Sequence, residues 1–111
     1  MKYTIASLLA CLSLSLPTNA DLPSCEFVGS GAVELSANGS CPSTKSETFY
    51  VSSSYASGEV GKTGSGYAYI SGPGTFASTS GNPYVSNEGP GYFDAYVTRG
   101  GSGTAYAVLY W

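Results

Sequence analysis

The stretch GYFDAYVTRGGSGTAYAVLYW, Gly91 to Trp111, decides the fold. Two alternating runs lie in it. In the first, Phe93, Ala95, Val97 and Arg99 share one face, and Tyr92, Asp94, Tyr96 and Thr98 share the other. In the second, Ala105, Ala107, Leu109 and Trp111 stand opposite Thr104, Tyr106, Val108 and Tyr110. Side chains of a strand point alternately to its two faces, so each run reads as a strand with its Phe/Ala/Val or Ala/Leu/Trp set turned inward. Between them the sequence GGSG offers the positive φ angles of a tight turn. The expectation is a closing β-hairpin whose inner face joins Leu109 and Trp111 to Phe93 and Val97. Its outer face would then gather Tyr92, Tyr96, Tyr106 and Tyr110, which form the candidate binding face.

Working outward, strand character recurs at Cys25–Gly29, Ala32–Leu35, Thr48–Tyr55, Gly66–Ser71, Thr75–Thr79 and Tyr84–Ser86, each bounded by glycine, proline or serine. Short strands at intervals of about 8 to 12 residues signal an antiparallel sandwich or barrel. The fold class expected is all-β, a small antiparallel β-sandwich or barrel of about 6–8 short strands with one disulfide. Thr44-Lys45-Ser46-Glu47 has the form of a helix capping box, but the β-branched, aromatic and serine residues after it are poor helix formers. A strand is therefore expected there too.

At the other end, MKYTIASLLACLSLSLPTNA joins Lys2 to an apolar run, a helix-breaking Pro17 and the small-residue site before Ala20. That is the pattern of a secretory signal peptide over residues 1–20, too short for a membrane span. A lipidation-box reading at Cys11 leaves too little apolar sequence before the cysteine. Asp21 to Trp111 then forms a single secreted β-domain of modest core, in which a covalent staple is useful. Cys25 and Cys41 remain after removal of the leader, and an oxidising route pairs them with each other.

Composition excludes several functions. Lys45, Lys62 and Arg99 face seven acidic residues, so the domain cannot neutralise a run of phosphates, and neither nucleic acid nor membrane is an expected partner. Histidine is absent, which removes the commonest general base and metal ligand. No metal, cofactor or catalytic residue is assigned. The segment ASGEVGKT, Ala56 to Thr63, approximates a phosphate-binding loop, but the glycine-rich sequence after Thr63 cannot supply the required helix, and it reads as an ordinary glycine loop. Glu88 and Asp94 flank a Gly-Pro-Gly turn and are the carboxylate pair a small glycoside hydrolase would use. Asn38-Gly39-Ser40 is a glycosylation sequon in a polar stretch, expected to be an exposed loop.

Leader, short chain, one Cys25–Cys41 bridge and no catalytic triad together resemble the small secreted effector-type proteins of plant-associated fungi. The resemblance is at class level and implies an extracellular, non-enzymatic recognition protein of a virulence type. Its Tyr/Ser/Gly palette suits binding of a host or competitor protein, since rigid amphipathic rings supply area and small polar residues adapt. An alternative is a cell-wall carbohydrate-binding module that uses exposed tyrosines as a stacking platform for polysaccharide. A monomer is expected over a dimer.

Overall fold

A computed structural model describes residues 25–86 and 90–111. The leader expected over residues 1–20 and Glu88 lie outside the described residues. Among those described, nine strands run in chain order: β1 (Glu26–Gly29), β2 (Ala32–Ala37), β3 (Thr44–Val51), β4 (Ser57–Thr63), β5 (Tyr67–Gly72), β6 (Thr75–Ser78), β7 (Tyr84–Ser86), β8 (Gly91–Thr98) and β9 (Thr104–Tyr110). They form two antiparallel sheets, one of five strands in the order β1-β2-β9-β4-β7 and one of four in the order β3-β8-β5-β6. The all-β sandwich expected from sequence is the fold.

The closing hairpin is not. β8 pairs with β3 and β5 in the four-stranded sheet, whereas β9 pairs with β2 and β4 in the five-stranded sheet. Residues 99–103 are an arch between layers rather than a turn within one. Gly100 and Gly101 hold φ values of 62° and 115°, which the arch needs. A second arch over residues 64–66 crosses beside it between β4 and β5. Ser65 ties the two, its Oγ donating to the Arg99 carbonyl at 2.9 Å and accepting from the Gly103 N–H at 3.1 Å.

The inward faces nevertheless follow the alternation. Phe93, Ala95 and Val97 on β8 and Ala105, Ala107 and Leu109 on β9 are all buried, and they meet across the two layers. Val33, Leu35, Val60 and Val85 complete the five-stranded side, and Phe49, Val51, Ala68, Ile70 and Ala77 the four-stranded side. Trp111 closes one end of this core by stacking on Phe49 at 5.7 Å, and Phe49 stacks on Phe93 at 6.0 Å.

One strand escaped the sequence reading. Residues 57–63, read as an ordinary glycine loop, form β4 inside the five-stranded sheet. Its glycines are there for close approach: a Cβ on Gly58 would lie 2.1 Å from the Val108 carbonyl oxygen, and one on Gly61 2.3 Å from the Tyr106 ring. β3 also begins at Thr44, so the capping-box residues are strand, and Lys45 and Glu47 take the inward-facing positions at its open end.

The Cys25–Cys41 disulfide is present, with Cα atoms 5.5 Å apart. It joins the residue before β1 to the segment after β2 and so clasps the open end of the first hairpin. Beside it Lys45 Nζ meets Glu26 Oε1 at 2.6 Å, linking edge strand β3 of one sheet to edge strand β1 of the other.

Candidate functional site

The two-layer topology distributes the four candidate tyrosines over opposite sides of the molecule. Tyr92 and Tyr96 point outward from the four-stranded sheet; Tyr106 and Tyr110 point outward from the five-stranded sheet. The expected single face therefore does not exist, because alternation fixes which way a side chain points within its sheet but not which sheet it belongs to.

On the five-stranded side the tyrosines are engaged by their own neighbours. Tyr106 lies over Gly61 and donates its hydroxyl to Glu59 Oε2 at 2.5 Å. Burial and then the Glu59 carboxylate push the Tyr106 phenol well above its ordinary range. Tyr110 donates to Glu34 Oε2 at 2.7 Å, and Val108, buried, sits between the two pairs. Each phenol thus links β9 to a flanking strand, a structural use of the ring and hydroxyl.

The four-stranded side differs. Tyr96 on β8, Tyr69 on β5 and Phe76 on β6 form a continuous row, with centroids 5.4 Å apart at 23° for the first pair and 5.7 Å at 28° for the second. Tyr67 leans on both Tyr69 and Tyr96 at 6.3 and 6.5 Å. Towards the edge, Tyr50 on β3 meets Tyr92 on β8 edge-to-face at 5.1 Å. Hydroxyls fill the spaces: Thr48 donates to Asp94 Oδ1 at 2.6 Å, and Thr44 and Thr98 share a bond of 3.2 Å. Asp94 is the one charged residue at an outward position of these four strands. Phe76, Tyr50 and Tyr92 are 54, 53 and 69% exposed, and Tyr67, Tyr69 and Tyr96 are half-buried between them.

Sequence reasoning placed Tyr92 and Tyr96 on an outer face but missed Phe76. In Thr75-Phe76-Ala77-Ser78 the small Ala77 is buried and the ring faces out, the reverse of what apolar size suggests. Only the stacked neighbour Tyr69 accounts for it.

Asn38 is not in an exposed loop. It is 8% exposed, its Oδ1 accepts from the Ser40 N–H at 2.8 Å and its Nδ2 donates to Ser36 Oγ at 3.4 Å. A glycan on Nδ2 would have to displace that packing. Of the carboxylate pair considered for hydrolysis, Glu88 lies outside the described residues and Asp94 is held by Thr48 on the flat sheet face. Among the described residues no group of three or more potential ligands could hold a metal, and no helix is long and apolar enough to cross a membrane.

One acidic pair is electrostatically tuned. Beside the Lys45 bridge, Glu47's carboxyl is held above its ordinary range by the hydrogen bond with Glu26 and then by burial. Glu26 is held below its range, chiefly by Glu47 and then by Lys45. The raised group stabilises the fold fully below the ordinary carboxyl value of 4.5 and loses that contribution as pH rises through its own elevated value. The lowered group acts oppositely, its contribution present above 4.5 and lost as pH falls. Glu47→Gln keeps the donor and removes the second negative charge. It is expected to raise the melting temperature at neutral pH, with the difference from the parent protein shrinking as pH falls through the elevated Glu47 value and closed below pH 4.5. A pH-independent difference would reject the coupling.

Comparison of the chain with known protein families, with curated proteins and with solved structures returns no match.

Proposed function

We propose that this chain is a non-enzymatic secreted recognition protein of the effector type, and that it binds a protein partner through the outer face of its four-stranded sheet. The observation that carries this reading is the outward aromatic row of half-buried Tyr96 and Tyr69 and exposed Phe76, extended by Tyr67 and by the exposed Tyr50–Tyr92 pair, on a hydroxyl-rich face with little charge. Tyrosine offers contact area at low entropic cost, and apolar edges interspersed with hydroxyls suit a protein surface of mixed polarity. The leader and the Cys25–Cys41 bridge fit an extracellular setting.

Ring orientation favours protein over polysaccharide. A sugar platform presents ring faces to the ligand, whereas Tyr96, Tyr69 and Phe76 stack on one another and turn much of their faces to their neighbours. Their edges and hydroxyls are what a partner would meet.

A photo-crosslinking residue at Tyr92 tests the reading, with the same residue at Tyr84 on the other sheet as the comparison. In plant tissue extract the residue-92 probe is expected to give a discrete protein adduct that Tyr69→Ala and Tyr96→Ala abolish, and the residue-84 probe none. Retention of the protein on insoluble chitin, β-glucan or cellulose, lost in the same double variant, would replace this reading with the carbohydrate-binding one.

A further inference from the structure

We propose that Tyr50 and Tyr92 are a site of oxidative coupling, at which a secreted haem peroxidase and hydrogen peroxide join the two rings into an intramolecular dityrosine. The pair is directly opposed in the register of β3 and β8. Its centroids are 5.1 Å apart, near the short end of aromatic contacts, and both rings are more than half exposed, so each can reach an oxidant.

The chemistry needs what this pair supplies. Each phenol gives up one electron and one proton, and the two phenoxyl radicals combine through carbons ortho to their hydroxyls. Each ortho hydrogen then moves as a proton to its own ring oxygen, which restores the aromatic phenols. The net loss is two hydrogens, and hydrogen peroxide is reduced to two waters. The new bond lies in the plane of each ring, so the rings must meet through their edges with a twist between planes. The 67° angle of Tyr50 and Tyr92 already brings an edge into the contact. By contrast, Tyr69 and Tyr96 are stacked at 23°, with Phe76 and Tyr67 flanking them against the outward swing an edge-to-edge bond requires. On the other sheet, Tyr106 and Tyr110 stand four residues apart on one strand, about 14 Å at the rise of an extended chain.

Position gives the modification a consequence. β3 is an edge strand hydrogen-bonded to β8 alone within its sheet, and Tyr50 lies one residue from its end. A carbon–carbon bond there would fasten the edge strand to its neighbour in a way that reductants cannot reverse, complementing the disulfide near the start of β3.

Treating the dilute, oxidised full chain with a haem peroxidase and hydrogen peroxide tests the site. The expected product is monomeric, fluoresces as dityrosine, has lost two hydrogens and, after tryptic digestion, links the 46–62 peptide to the 63–99 peptide through Tyr50 and Tyr92. Tyr50→Phe or Tyr92→Phe, which keep the ring, should remove the monomer's fluorescence, and Tyr69→Phe with Tyr96→Phe should not. Coupling through Tyr55 or Tyr84, which are as exposed as Tyr50, would show that exposure alone selects the site and would overturn the proposal. So would products joined only between molecules, or undiminished monomer fluorescence in Tyr50→Phe.

Discussion

Phe93→Ala is expected to destabilise the domain by about 3–5 kcal/mol, enough to leave a protein of this size close to unfolded at ambient temperature. Phe93 is fully buried on β8, the strand that runs between β3 and β5. Its ring lies over Gly72, where a Cβ would come within 2.3 Å, and it is one layer of the Phe93-Phe49-Trp111 stack. Glycine has no side chain to swing into the space left by the ring, and Phe49 is held on its other face by Trp111. The cavity should therefore persist, which places the cost at the upper part of the usual range. Tyr92→Ala, one residue away and 69% exposed, removes a ring of similar size from the opposite face and should cost about 1 kcal/mol or less. Urea denaturation of the two variants checks this directly. Equal midpoints would mean that the assignment of inward and outward faces on β8 is wrong.

That assignment was legible in the sequence because burial imposes a period of two on any strand with one wet face, and Phe93, Ala95 and Val97 obey it without exception. The partner of each strand was not legible. A tight hairpin and an arch both turn Phe93 and Leu109 towards the same core, one side by side in a sheet and the other face to face between sheets. Glycines between the strands serve either. What decides is the rest of the chain: β3 and β5 flank β8 while β2 and β4 flank β9, and those pairings join residues far apart in sequence. β4 was hidden for a related reason. Gly58 and Gly61 look like loop residues, yet the Val108 backbone and the Tyr106 ring approach closely enough to require them.

The candidate site shows the same division. Nearly every outward tyrosine could be found by alternation, but whether one is a free surface or a structural tie depends on its neighbours across strands. Glu59 and Glu34 capture Tyr106 and Tyr110, whereas Tyr69 and Tyr96 stack on each other beside Tyr67 and Phe76. No local pattern separates the two groups. Glu34, for instance, is separated from Tyr110 by 76 residues of chain.

Opening the disulfide, by Cys41→Ser or by reductant, is expected to cost about 3 kcal/mol from the chain-entropy model. At about 4–8 °C per kcal/mol for a small domain, the melting temperature should fall by roughly 12–24 °C. The two cysteines are 16 residues apart and enclose the whole first hairpin, so their bond restricts the unfolded chain over β1, β2 and the turn between them. The folded state depends on it locally as well. β1 has four residues and one hydrogen-bonded neighbour, β2, and its outward Phe27 is 51% exposed, so little apolar burial holds it in place. Beyond the disulfide, the Lys45–Glu26 contact ties this edge to the other sheet, and solvent-screened ion pairs of that kind contribute little. Loss of the bridge should thus free β1 first, while β2 remains paired with β9 at the sheet centre. Hydrogen exchange on the reduced protein should show lost protection in residues 26–29 and in the 38–43 segment before any loss in β9. An unchanged melting temperature under reducing conditions would reject the staple, and uniform loss of protection across both sheets would mean that the hairpin and the core unfold as one unit.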